Sequence, residues 1–592
     1  MTTFAGARET TRTRGVALTQ DAVAIASVAV WTLVLVVATW GTWGDLDSDT
    51  GYDLLAATRI ADGSVPYLDF TYYYGPLGAA LAAVAILVGG HGIGVGVAFG
   101  LVVTLLLVAA TYAVGRIVLP PLGAGLAAGL TAAVALAPNN YGFVLPHTYD
   151  APLGTLLLLG LCLAAWRYAS TNAQRWVVVV GVVLGLTALT KPEPFAAAVV
   201  ASVVWLVVRS REGARLRREA LLVGAPAALV AALVYGPLLA ASSFQRLVFE
   251  NLYPVDLLQA GDGAMTKARM PMTLGSVAEV GGRLVVYALG AAVLVGLGRL
   301  LHLRVGGRVL VAGVAFGALL VATGALVKPD GLRDLLYYVY GWIPAGALIA
   351  LVVVLVRRRG TRSDPRAQVE LVALTSLAVL AATTYGAFVM NGYRPQMAVY
   401  YVPFVGLFLG ALHLRVLAPS RSAYVLGALW LAFLVAASAG LTLKDARAES
   451  ATVAGPGGSL AETPAEAGLY SSALAEIAQR TRAGEPILVA PILTGLYTLS
   501  DRESPLRELS LLPGALADPA AERAAIARLE QSDVRLVLAD TRTWKGYGEG
   551  AFGVTFDRAL GRWIDSNFVR VKTLTTGGPG PRTINLWVRR EQ

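Results

Sequence analysis

Residues 44–76, GDLDSDTGYDLLAATRIADGSVPYLDFTYYYGP, hold six aspartates, a tyrosine triplet and a closing Gly-Pro. Asp47 and Asp49 stand two apart. That is the Asp-x-Asp spacing of metal-assisted sugar transfer, and equally of an Asx-turn leading into a helix. A carboxylate held at a membrane surface can act as general base toward an acceptor hydroxyl. Tyr72, Tyr73 and Tyr74 offer flat faces with polar tips, which suit a sugar ring, but beside a span an interfacial aromatic belt is the first expectation for them. Asp45, Asp53 and Asp62 are expected as solvated loop charges.

Two further stretches carry reactive groups. PNNYGFVLPHTYDAP supplies His147 and Asp150. Asp150 is expected to N-cap the helix that follows, with a second role open on the side of Asp49. LTKPEPF sets Lys191 and Glu193 in a short connection, where a cation can neutralise a lipid phosphate. Arg394, in VMNGYRPQMAVYYVP, has a similar setting, so Lys191 and Arg394 are the candidate phosphate ligands. Four histidines and a single cysteine, without HExxH or paired Cys/His spacing, give no zinc site, although Asp-x-Asp leaves room for a divalent ion. Phosphate loops of the GxxxxGK[ST] type, GxSxG elbows and a Cys nucleophile with its base are missing, so nucleotide chemistry has no support.

These groups must be positioned by membrane helices. The 592 residues are 56% hydrophobic and only 15% charged, which describes a polytopic α-helical membrane protein. Apolar runs begin near residues 22, 94, 121, 151, 176, 194, 220, 280, 309, 336, 367, 398 and 421, giving about 13 transmembrane helices. Residues 76–90, PLGAALAAVAILVGG, are short and end in glycine, so they are expected as a re-entrant or interfacial helix. With that piece left out, loops of one side hold 21 Lys and Arg against 9 on the other, the asymmetry of a cytoplasmic face. The net charge of +10 then reflects orientation in the bilayer and not nucleic-acid binding. The N-terminus is expected in the cytoplasm of a multi-pass plasma-membrane protein, and the acidic loops outside.

The expected organisation is a cytoplasmic tail at 1–21, a transmembrane domain at 22–442 with its first outer loop at 43–93, a Gly/Ser/Pro-rich linker at 443–461, and a soluble extracytoplasmic α/β domain at 462–592. Thr463-Pro464-Ala465-Glu466 reads as a capping box with proline at the first helical position. Helices at DPAAERAAIARLEQ and FDRALGRWIDSN alternate with strands at EPILVAP, VRLVLAD, VRVKTL and TINLWVRR.

The first-loop residues also resemble a known pattern. Asp49, Tyr52, Ala56, Gly63, Pro66, Tyr67, Asp69 and Gly75-Pro76-Leu77 are similar in order to the first outer loop of GT-C fold glycosyltransferases. The likeness is greatest to the dolichyl-phosphate-mannose protein mannosyltransferase superfamily, with its lipid A aminoarabinose transferases and RgtA/B/C/D-like group. It extends more loosely to Asp150, to GLTALTKPEP and to the outer domain. The resemblance implies inverting transfer of a sugar from a polyprenyl-phosphate donor to a cell-envelope glycan, glycolipid or protein. Asp49 would be the single base, with Asp47 as alternate. Lys191 and Arg394 would hold the donor phosphate, while Tyr52, Asp69, Tyr72, Tyr73, Tyr74, His147, Asp150 and Glu193 would bind substrate. A lipid or polysaccharide transporter is the competing class, and it calls for midplane charges and repeat symmetry.

Overall fold

The computed structural model describes residues 3–46, 49–138, 142–211, 215–252, 254, 256–257, 347–348, 351–352, 364–384, 400–408, 421–516, 518–577 and 581–590. The spans expected near 280, 309 and 336 lie outside the described residues. Among those described, six helices are long and apolar enough to cross a membrane. They fall in α1 (Thr3–Ala38), α4 (Ile93–Val118), α6 (Asp150–Thr171), α8 (Pro192–Arg211), α9 (Leu216–Ala241) and α10 (Pro365–Thr384). Two expected spans are shorter, namely α5 (Pro121–Ala135) and α7 (Arg175–Thr187). After α7 the chain keeps turning: the amides of Leu189 and Thr190 donate to Leu186 and Thr187, three residues back, until Pro192 opens α8. Such tight turns are common where an α-helix runs out.

Contacts at the helix ends define two faces of the bundle. On one face Arg116 and Tyr112, late in α4, hold Asp21 near the start of the apolar part of α1. There too Arg209, at the end of α8, pairs with Glu219 in the first turn of α9 at 2.9 Å, and Tyr168 of α6 joins them. Asp150 and Lys191 sit at the opposite ends of α6 and α8. From Asp150 to Tyr168 the helix rises about 27 Å, at ~1.5 Å per residue, close to a hydrocarbon thickness of ~30 Å.

The short apolar helix α3 (Pro76–Gly89) keeps both ends on the Asp150 face. At its start the Leu77 amide donates to Leu189 O at 3.0 Å and the Gly78 amide to Asp150 Oδ1 at 2.8 Å. Just past its end, Ile93 N donates to Gly457 O of the C-terminal region. Fourteen residues span about 21 Å, too short to cross, and Leu87 and Val88 stay exposed along it. Its start is set by glycines. A Cβ on Gly75 would lie 2.2 Å from Leu189 O, and one on Gly78 2.8 Å from Asp150 N, whereas one on Gly94 would meet nothing within 4 Å. Gly75→Ala is therefore expected to cost about 2–3 kcal/mol through forced backbone shifts. Gly94→Ala should leave the thermal midpoint in detergent unchanged or slightly raised.

The C-terminal region is a mixed four-stranded sheet with helices. β3 (Leu488–Ala490) and β4 (Leu536–Asp540) run parallel, and β6 (Thr583–Arg589) and β5 (Phe568–Thr575) complete the order β3-β4-β6-β5. Its helices are α12 (Pro464–Arg480), α13 (Gly495–Ser500), α14 (Pro519–Gln531) and α15 (Arg558–Asn567). Thr463 caps α12 and Asp518 caps α14, each with proline at the first position. The stretch expected as a linker differs from that expectation. α11 (Arg421–Ala448) runs through its start, and β1 (Ala451–Gly455) pairs with β2 (Gly458–Glu462) around Pro456-Gly457. Gly-Pro-Gly-Gly is thus a hairpin turn, with Gly458 at φ +121°. The hairpin docks on the helices, because Ala461 N donates to Gly41 O just beyond α1.

Candidate active site

The first loop opens with α2 (Asp49–Ala61), which lies against the C-terminal region so closely that a Cβ on Gly51 would fall 2.0 Å from Gly495 N. Asp49 is its first residue and is half-buried, while Asp47 lies outside the described residues. One turn on, Asp53 departs from its expectation as a solvated charge, for it is 1% exposed. Its Oδ1 accepts from the Tyr72 hydroxyl and its Oδ2 from the Tyr149 amide at 2.9 Å, which ties α2 to the start of α6.

Burial pushes the Asp53 carboxyl up to about 6, against the hydrogen bonds from Tyr72 and Tyr149 that lower it. Between about pH 4 and 6 the folded protein keeps a proton that the unfolded chain has released. Asp53 therefore lowers stability as pH rises through that window, by about 3 kcal/mol in all. Asp53→Asn is expected to flatten this part of the profile of thermal midpoint against pH. It should also cost about 1–3 kcal/mol, since an amide offers one acceptor for two donors.

The tyrosine triplet is not a lipid belt, which corrects the first expectation for it. Tyr72 is fully buried, and Tyr52 is stacked between Tyr72 and Tyr73, with centroids 5.8 and 5.7 Å away. The Tyr52 hydroxyl donates to Thr71 O and accepts from the Tyr73 amide at 3.1 Å. Tyr74 meets Tyr52 and Tyr72 edge-on, and on its other side meets His147. The Lys191 ammonium lies 5.4 Å from the Tyr74 ring centre. Asp69 does not join this group. It is exposed and closes a turn, its Oδ2 accepting from Val65 N at 2.6 Å.

Lys191 is buried in the α7–α8 connection, with Nζ 3.1 Å from His147 Nε2 and 3.9 Å from Glu193 Oε1. His147 Nδ1 is bonded to the Tyr400 hydroxyl, a partner that sequence reasoning missed although VYYVP closes the Arg394 stretch. Arg394 itself lies outside the described residues. Asp150 departs from its expected role as cap of α6: its Oδ1 takes the Gly78 amide and so caps α3 from the neighbouring helix. Its Oδ2 and Glu193 Oε2 are buried with no hydrogen-bond partner among the described residues. Buried carboxylate oxygens of this kind are ready acceptors for incoming hydroxyl donors. Among the described residues no group of three His, Cys, Asp or Glu side chains could hold a metal ion.

Lys191, His147, Asp150, Glu193 and Tyr74 all fall within residues 74–237, which match the family model for dolichyl-phosphate-mannose-protein mannosyltransferases. That match covers 164 of the 592 residues. No curated protein matches its sequence. Among solved structures it is similar to the Archaeoglobus fulgidus oligosaccharyltransferase in complex with zinc and sulfate. That match has 14% identity and a TM-score of 0.45, over 87% of this chain and 68% of that one. It is also similar to ArnT from Cupriavidus metallidurans bound to undecaprenyl phosphate, at 14% identity and a TM-score of 0.44, over 95% of this chain and 97% of that one.

Proposed function

We propose that this protein is a GT-C fold glycosyltransferase that transfers a sugar from a polyprenyl-phosphate donor to a hydroxyl of a cell-envelope glycan, glycolipid or protein, with inversion. The observation that carries the reading is the convergence, at one end of the bundle, of the acid-bearing helix α2, the Lys191–His147 pair and the non-crossing helix α3. The opposite end gathers the Arg116, Arg209 and Arg215–Arg218 cations, which supports an extracytoplasmic site. A sugar used there must already be carried on a lipid, and a donor phosphate at the membrane surface meets Lys191.

In this account Asp49 takes the proton of the acceptor hydroxyl as its oxygen bonds to the anomeric carbon. The bond from that carbon to the phosphate oxygen breaks on the opposite face, and polyprenyl phosphate leaves. Lys191, with Arg394, stabilises the charge that develops on it. Asp150 Oδ2 and Glu193 Oε2 accept hydrogen bonds from sugar hydroxyls, and Tyr73 and Tyr74 face the ring. Asp53, with both oxygens engaged, positions α2 and is not the base. A transporter is not favoured, because ionisable residues of the described spans lie within about two turns of their ends. The reading is tested by following consumption of a radiolabelled polyprenyl-phosphate sugar by the purified chain. Absence of any consumption across neutral, amino and uronic sugars would remove it.

A further inference from the structure

The loop that carries Asp49, Asp53 and the tyrosines is held from outside by two further elements. One is a π-helical turn, Gln245–Leu252, a rare geometry that recurs at functional sites. From it the fully buried Asn251 presents Oδ1 to the Tyr72 amide at 3.0 Å, and its Nδ2 donates to Arg246 O at 2.7 Å. Arg246 in turn donates to Leu68 O at 2.8 Å. The other element is residues 504–507 of the C-terminal region. Arg507 donates to Tyr67 O at 3.1 Å, and its carbonyl accepts the Thr71 amide at 3.0 Å. Arg59 of α2 reaches across to Leu506 O at 2.8 Å and to Ser504 O. The two elements also meet, with Arg507 3.8 Å from Glu250.

We propose that Arg507 and Asn251 are positioning residues for transfer, and that the C-terminal region serves as a brace for the catalytic loop rather than as a separate glycan-binding module. The path is a chain of bonded groups. Both residues fix the backbone of Tyr67–Tyr72, the Tyr72 hydroxyl fixes Asp53, and Asp53 fixes α2 one turn from Asp49. Tyr67 has φ +68°, a conformation that its hydroxyl bond to Tyr74 O and the Arg507 contact hold in place. Loosening such a loop moves the base off line without touching the phosphate ligands. The cost should therefore appear in turnover, since small misplacements of reacting groups cost up to about a hundredfold.

The proposal rests on the transferase reading, and the test keeps the two apart. Full-length Arg507→Ala, Arg507→Lys and Asn251→Ala are compared with wild type for kcat, for donor KM and for amide hydrogen exchange at residues 65–73. Arg507→Ala and Asn251→Ala are expected to lower kcat about tenfold or more with donor KM within about twofold, and to speed exchange at Thr71 and Tyr72. Arg507→Lys, which keeps a donor for Tyr67 O, should recover part of kcat at unchanged thermal midpoint. Wild-type kcat and exchange in both alanine variants would overturn the brace, and so would losses that merely track a lowered thermal midpoint with no recovery in Arg507→Lys. If the wild type consumes no donor, the transferase reading fails, and unchanged exchange at Thr71 and Tyr72 would still overturn the brace.

Discussion

Asp49→Asn is expected to lower sugar transfer by about 10²–10⁴-fold, the usual range for loss of a general base, while the protein still extracts and unfolds like wild type. The side chain is half-buried at the first residue of α2, so an isosteric amide disturbs little packing. Donor KM should stay near wild type, because the base acts on the acceptor and the phosphate is held elsewhere. Asp47→Asn is the matched control and should retain most activity. If the two variants exchange behaviour, Asp47 is the base.

The second large effect is expected at Lys191. Lys191→Met keeps most of the volume and apolar stem but removes the cation beside His147. Transfer should fall by about 10²–10³-fold, with donor KM raised as well as kcat lowered, because the same charge meets the phosphate before and during departure of the leaving group. Measurement of both constants with a water-soluble short-chain polyprenyl-phosphate sugar checks this. A change in kcat alone would point to a role for Lys191 in orienting His147 and Tyr400 instead.

How far the sequence disclosed these features follows from how local their causes are. The shortness of α3 is a matter of composition and length, and the proline-led starts of α12 and α14 are a matter of three or four adjacent residues, so all were legible. The hairpin at Ala451–Glu462 was not, because glycine and proline mark a tight turn and a loose linker alike; what decides between them is the bond from Ala461 to Gly41, some 400 residues away in sequence. The gathering of Tyr74, His147, Lys191 and Asp150 follows from helix ends meeting at one face, which alternation of apolar runs anticipates. The individual pairings do not. Asp53 reads as one more loop acid, yet its burial depends on Tyr149, 96 positions on. Its spacing of four from Asp49 was the one local hint, since i and i+4 share a helix face. Asp150 likewise sits where a cap of α6 belongs, and only the proximity of α3 redirects its carboxylate to Gly78.

The most direct test of the central claim is release of polyprenyl phosphate from a radiolabelled polyprenyl-phosphate sugar by the purified wild type and Asp49→Asn chains, side by side in lipid vesicles. The account predicts donor consumption by the wild type and at most about one part in a hundred of that rate in the variant. Equal rates in the two, or no consumption by a well-folded wild type with any sugar offered, would contradict it.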